Sequence, residues 1–83
     1  MTPHDNAIKV LLTEFRLGDC EDPELYAAEP IYKWQQTEEG QWAKQNCSDM
    51  FFVVQPEFDY YGYKCKIFGY LSPELAFWFL LKR

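Results

Sequence analysis

Three cysteines and one histidine are the side chains of this 83-residue chain that could support nucleophilic or metal chemistry. A catalytic cysteine needs a neighbouring base, and a zinc site takes its Cys and His ligands at short, regular spacings. Cys20, Cys47 and Cys65 are far apart in sequence, and His4 is the only imidazole. We therefore interpret the cysteines as reduced thiols in or near the core, and expect no metal and no cofactor. The sequence also lacks a glycine-rich phosphate loop, so it does not predict an enzyme or any catalytic residue.

Carboxylates are concentrated in a short acidic segment that follows Gly18. The four that lie closest together are Asp19, Glu21, Asp22 and Glu24. A calcium loop would also need a glycine and a distal glutamate at fixed spacing, which this segment lacks. One interpretation is a solvated connecting turn, and the other is a patch that meets a basic surface on a partner. We treat all four carboxylates as candidate partner-binding residues.

Lysines and aromatic residues are interleaved near the C terminus. Residues 62–71 are expected to form a strand whose side chains alternate between two faces. One face would carry Tyr63, Cys65, Ile67 and Leu71, and the other would carry Lys64, Lys66, Phe68 and Tyr70. A second strand would add Trp78 and Lys82 to the lysine face. Phe68, Tyr70 and Trp78 are therefore candidate contact residues for a partner.

The segment 74–82 can be interpreted in two ways. As a strand it suits the preference of aromatic residues for pleated surfaces, and we favour this interpretation. As a helix it would begin at a Ser72 cap with Pro73 in the first position, and a helix apolar on every side suits only a buried element. In either case the C-terminal unit is apolar on both faces. The second face must then be covered by the rest of the chain or by a partner.

The remaining segments supply the elements that position this unit. Apolar residues at helical spacing, namely Ile8, Leu11, Leu12 and Phe15, predict a helix over 3–17 that ends at Gly18. Asp22-Pro23 predicts a second helix start, with Pro30 limiting its length, and residues 31–36 are expected to form a short strand. Residues 38–46 are predicted as a helix capped by Thr37, with a hairpin at 39–40 as the alternative. Residues 50–54 are predicted as a buried strand.

These elements predict an α+β fold in one domain spanning 1–83. We expect a small antiparallel sheet of three or four strands, an N-terminal helix packed on one face and a possible second short helix. The chain carries a net charge of −5 and is 19% aromatic, a composition too apolar for disorder. Twelve of the acids lie in residues 1–59, whereas residues 60–83 carry a net charge of +3. With no signal peptide and no membrane segment expected, the predicted location is the cytoplasm.

Four short patterns together resemble short, uncharacterised bacteriophage proteins. They are Trp34-x-x-Thr37-Glu38-x-Gly40-x-Trp42, Gly62-Tyr63-Lys64, Ile67-x-Gly69-Tyr70-Leu71 and Phe77-x-Phe79-Leu80-Leu81-Lys82. The resemblance covers about half of the chain. It implies a phage-encoded accessory protein acting in the host cytoplasm, and it assigns no functional residues.

The sequence favours a small acidic protein-binding module. Its aromatic residues are of the types enriched at interface centres, and its negative charge would steer it toward a basic partner. An inhibitor or modulator of a host nucleic-acid-handling or defence protein is the specific form of this hypothesis. The alternative is a structural or self-assembling subunit that forms a homo-oligomer. Single-stranded nucleic acid ranks third, because phosphate binding depends on positive charge.

Overall fold

The computed structural model describes residues 6–18, 21–57 and 62–82. Along the chain the elements are β1 (Ile8–Gly18), α1 (Pro23–Gln35), α2 (Glu38–Asn46), β2 (Asp49–Pro56), β3 (Tyr63–Leu71) and α3 (Pro73–Lys82). Within these ranges the strands form one antiparallel sheet in the order β1-β3-β2. The α+β class and the three-stranded antiparallel sheet are as the sequence predicts.

Strand β3 lies at the centre of the sheet and is the element that the sequence predicts best. Its buried residues are Cys65, Ile67, Gly69 and Leu71, which define the inner face. Gly69 lies opposite Val10 of β1 on one side and Met50 of β2 on the other. Strand β2 forms where residues 50–54 are predicted as a strand, but it runs from Asp49 to Pro56. The predicted burial of this strand is wrong, because β2 is an edge strand and none of its residues is fully buried. The alternation of β3 therefore sets the two faces of the whole sheet.

The predicted N-terminal helix is wrong, because this segment forms the edge strand β1. The pairing of β1 with β3 shifts register between Leu11 and Thr13, which is a β-bulge at the fully buried Leu12. A bulge inserts one residue into a period-two pattern. Before the bulge Ile8, Val10 and Leu12 keep the strand spacing of two, and the bulge makes the step from Leu12 to Phe15 three. Ile8, Leu12 and Phe15 therefore also match the spacing of a helix face. The β-branched residues of this segment favour the strand.

Helix α1 begins where the sequence predicts and continues beyond the predicted end. The side chain of Asp22 accepts a hydrogen bond from the Leu25 N–H (3.3 Å), and Pro23 occupies the first turn. The helix then passes through Pro30 and ends at Gln35, so the strand predicted for 31–36 is wrong. An interior proline costs a helix about 3 kcal/mol. Burial of the residues after Pro30 against the core offsets this cost.

Helix α2 confirms the favoured interpretation of residues 38–46. The Thr37 hydroxyl accepts a hydrogen bond from the Gly40 N–H (3.0 Å) and donates one to the Trp34 carbonyl (2.6 Å). A Cβ on Gly40 would lie 2.1 Å from that same carbonyl oxygen. Glycine is therefore required where α2 turns back against the end of α1, and the hairpin alternative is excluded.

Helix α3 corrects the strand favoured for 74–82. The Ser72 carbonyl accepts a hydrogen bond from the Ala76 N–H (2.8 Å), and the Ser72 hydroxyl lies 3.4 Å from the Leu75 nitrogen. The Ser72-Pro73 helix start that the sequence offered as an alternative is thus correct. The further expectation that such a helix would be buried on every side is wrong. Only one side of α3 meets the sheet.

The core lies between the inner face of the sheet and a layer formed by the helices. Its buried residues come from β1, α2, β3 and α3 and are Val10, Leu12, Ala43, Ile67, Leu71, Ala76 and Phe79. Helix α1 adds the half-buried Ile31 and Trp34. Cys65 is fully buried and Cys47 packs against the core, as expected, whereas Cys20 lies outside the described residues. In the part of the chain that the structure describes, no helix is long and apolar enough to cross a membrane.

Candidate functional site

The structure separates the aromatic residues that the sequence placed on one surface. Phe68 and Tyr70 lie on the outer face of β3, away from the core. Trp78 lies on α3, which packs on the inner side of the sheet. The prediction of a shared surface is wrong because the chain turns at Ser72 and continues as a helix. The three predicted contact residues therefore lie on two different surfaces, the outer face of the sheet and helix α3.

The aromatic side chains of the outer sheet face bury much of one another's surface. Phe68 stacks on Phe51 of the neighbouring strand, with ring centroids 5.4 Å apart, and Tyr70 lies 6.1 Å from the same ring. The ammonium of Lys9 sits 5.1 Å from the centre of the Phe68 ring. All three aromatic residues are half-buried. These contacts leave little of each ring for a partner.

The basic residues at one end of this face are used in ion pairs. Lys64 Nζ lies 3.4 Å from a Glu14 oxygen and 3.5 Å from a Glu57 oxygen. Arg16 Nε lies 3.4 Å from the other Glu57 oxygen. The Glu57 side chain is nearly buried, so its charge requires these cations. The network links β1 to β3 and reduces the positive charge available to a ligand.

The outward side of α3 is the most exposed apolar surface of the described chain. The exposed fractions are 67% for Phe77, 43% for Trp78, 59% for Leu80 and 70% for Leu81. Leu75, Ala76 and Phe79 turn toward the sheet instead. The sequence reasoning identified only Trp78 in this set, because a strand was favoured for the segment. The Ser72-Pro73-Glu74 helix start was the signal that could have revealed the others.

A groove runs between α2 and α3 beside this surface. It is lined by Glu38, Glu39 and Trp42 from α2 and by Trp78, Phe79 and Lys82 from α3, and its volume is about 390 Å³. The Trp42 ring centroid lies 5.1 Å from that of Trp78 and 5.6 Å from that of Phe79. The Lys82 ammonium lies 4.6 Å from the centre of the Trp78 ring. The groove thus combines an aromatic floor with an acidic wall, which the sequence reasoning did not identify.

Three of the four acidic candidates lie at the start of α1, and none of them lines the groove between α2 and α3. Glu21, Asp22 and Glu24 are exposed at the start of α1, and Asp19 lies outside the described residues. Asp22 caps the helix, and Glu24 in the first turn interacts favourably with the helix dipole. A local structural role thus accounts for two of the four predicted carboxylates.

The described thiols are poorly suited to nucleophilic chemistry. Burial raises the pKa of both Cys47 and Cys65 above the ordinary value, which lowers the fraction of reactive thiolate. Among residues 6–18, 21–57 and 62–82, no three His, Cys, Asp or Glu side chains are grouped so that they could hold a metal ion.

No protein-family model matches this chain, and no curated protein or solved structure matches it. The functional evidence therefore comes from the surfaces of the chain itself. Of these, the outward side of α3 carries the largest number of strongly exposed apolar side chains, and the groove adjoins it. They form the candidate binding site.

Proposed function

We propose that this chain is a protein-binding module whose contact surface is the outward side of α3. The observation that carries the proposal is the exposure of Phe77, Leu80 and Leu81, each well over half accessible, beside Trp78. Contiguous apolar side chains on a soluble protein are costly to leave in water and mark interaction sites. Large aromatic and aliphatic residues on one rigid helix also suit the helix-in-groove mode of recognition.

The net charge of the chain supports a basic partner. A charge of −5 accelerates encounter with positively charged surfaces and disfavours acidic ones. Proteins that handle nucleic acids present such basic surfaces. We therefore propose a host nucleic-acid-handling or defence protein as the partner, with the chain acting as a phage-encoded inhibitor or modulator in the cytoplasm.

Site-specific photo-crosslinking tests the contact surface. A photoreactive amino acid is placed at position 77 or 81 on α3, and position 26 on α1 serves as the control because Tyr26 is also exposed. We expect positions 77 and 81 to capture the same protein and position 26 to capture none of it. The purified partner should then bind the wild-type chain and lose at least about tenfold in affinity with Leu81→Asp, a change of about 1.4 kcal/mol.

Two outcomes would refute the proposed surface. One is equal capture of the same protein from positions 26, 77 and 81. The other is unchanged affinity for the purified partner in a Leu81→Asp variant whose circular dichroism matches the wild type. Leu81 is suited to this test because it is exposed, so its replacement should leave the core intact.

Self-assembly through the same helix is the alternative function, and the charges on α3 favour it. Glu74 lies in the first turn and Lys82 in the last. In a two-fold symmetric, antiparallel pair of α3 helices, Glu74 of one copy would approach Lys82 of the other. Light scattering across a concentration series distinguishes the two functions. A dimer that Leu81→Asp dissociates would support self-assembly, and a monomer at all concentrations would exclude it.

A further inference from the structure

We infer that the groove between α2 and α3 binds an arginine side chain of the partner. This inference rests on the proposed function, since it names the chemistry that the same surface would recognise. The groove is lined by residues of both helices, and contacts of Trp42 with the Trp78 and Phe79 rings connect its two sides. Its volume of about 390 Å³ lies near the lower limit of ligand sites and suits a single large side chain.

The aromatic floor already holds a cation. The Lys82 ammonium lies over the Trp78 ring at 4.6 Å from its centre, which is cation–π geometry. Trp42 continues the same floor, with its ring 5.1 Å from Trp78. The indole faces of this groove therefore favour positive charge, and one of them attracts the only cation that the groove lining contains.

The acidic wall of the groove would supply carboxylates that pair with the charge of the arginine. Glu38 and Glu39 line the groove and form no ion pair with another described residue. Both lie in the first turn of α2, where the helix dipole stabilises their negative charge. A cation that enters from a partner would therefore meet two uncompensated carboxylates beside two indole rings.

An arginine side chain can contact the aromatic floor and the acidic wall of the groove at the same time. Its planar guanidinium can stack on an indole ring while its edge donates hydrogen bonds to a carboxylate. A lysine ammonium is a compact point charge without a stacking plane, and it is more strongly hydrated. The geometry therefore favours arginine over lysine. The chain's own Lys82 competes for the Trp78 face, so its removal should strengthen binding.

Titration with short peptides tests this inference without knowledge of the natural partner. The probes are hexa-arginine, hexa-lysine and hexa-citrulline, in which citrulline is the neutral isostere of arginine. The readout is the nitrogen–proton NMR signal of each indole. We expect hexa-arginine to shift the signals of Trp42 and Trp78, with little effect on Trp34, which packs against the core from α1. Hexa-lysine should bind more weakly, and hexa-citrulline should not bind.

Variants at exposed positions assign the effect to the groove. We expect Glu38→Gln with Glu39→Gln to weaken hexa-arginine binding about tenfold. Lys82→Gln should strengthen it by about two- to fivefold. The matched control is Glu21→Gln with Glu24→Gln, which removes the same charge at the start of α1 and should have a much smaller effect.

Several results would overturn the inference. They are equal binding of hexa-citrulline, binding of hexa-lysine as tight as that of hexa-arginine, equal weakening by the α1 control variant, and absence of any shift at Trp42 and Trp78. Any of these could occur while crosslinking at positions 77 and 81 still captures a partner. In that case the arginine site fails and the binding module stands.

Discussion

At the scale of single residues, Gly69 shows how closely the helical layer approaches the sheet. A Cβ at this position would lie 2.6 Å from Cys47 Sγ and 2.9 Å from a methyl carbon of Leu12. The missing side chain lets a thiol and a leucine pack directly on the central strand. Cys47 is desolvated as a result, and Cys65 lies fully buried on the same strand as Gly69. The chemical behaviour of both thiols follows from this packing.

The thiols should therefore react slowly in the folded protein. Because burial raises the pKa of Cys47 and Cys65, the thiolate fraction of each rises only at a pH above the ordinary value of about 9.0. We expect Cys47 to alkylate more slowly than a free cysteine at pH 8. Cys65 should react only through opening of the fold. Peptide mass spectrometry after timed iodoacetamide treatment measures both rates.

The same treatment in guanidinium chloride supplies the control, because unfolding removes the desolvation of both thiols. Both rates should rise there to that of a free cysteine. If Cys65 were alkylated in the native protein as fast as in the denatured protein, its burial in the folded state would be contradicted.

At the scale of elements, α1 shows tertiary packing prevailing over local preference. Pro30 lies inside the helix and cannot donate the hydrogen bond that would reach the Tyr26 carbonyl. Ile31 and Trp34 nevertheless continue the helix because they pack against the core cluster. The salt bridge between Glu29 and Lys33 (2.9 Å) is exposed, so it adds little. Apolar burial is thus the main reason that the helix extends beyond the proline.

Replacement of this proline should stabilise the protein. Pro30→Ala restores a backbone donor and removes a steric conflict, so we expect a gain of about 1–3 kcal/mol. A domain of this size should then show a rise in Tm of at least about 4 °C. Thermal unfolding followed by circular dichroism measures this change.

Pro73→Ala is the matched control for the proline prediction. Pro73 is the first residue of α3, where a backbone donor would have no partner within the helix. Its replacement should change the Tm by only a small amount in either direction. A Tm that falls in Pro30→Ala would contradict the helix through position 30.

At the scale of the whole molecule, folding pairs charges that the sequence keeps apart. Residues 60–83 carry a net positive charge, whereas the rest of the chain is acidic. The antiparallel sheet brings Glu14 of β1 and Glu57 after β2 to Lys64 of β3. The outer face therefore presents aromatic rings beside a weakened positive field, in which Lys9 and Lys66 remain. Single-stranded nucleic acid requires both features.

The protein should consequently not bind single-stranded DNA. We expect no change in fluorescence anisotropy when a labelled oligothymidylate is titrated with the protein at low salt. This readout is chosen because the tryptophans lie on the helices, whereas the aromatic residues of the outer face are Phe51, Phe68 and Tyr70. A saturable, salt-dependent signal that Phe68→Ala weakens would instead assign nucleic-acid binding to this face.

The sequence by itself determined the features that depend on neighbouring residues. The alternation of β3, its two faces, the Thr37 cap of α2 and the start of α1 at Asp22 were all predictable, because periodicity and capping act over a few residues. The α+β class was also predicted, although with a helix at 3–17 and strands at 31–36 and 74–82, which the structure corrects. Of the three aromatic residues that the sequence proposed as contact residues, Trp78 is exposed.

Only the tertiary structure decided the features that depend on distant contacts. The bulge in β1 is defined by its register with β3, and without that register its spacing equals that of a helix. The length of α1 depends on burial beyond Pro30. The apolar pattern of α3 is the same on every side, so only docking on the sheet decides that Phe79 is buried and Leu81 is exposed. For the same reason the groove, which joins residues about forty positions apart, could not be inferred from local sequence.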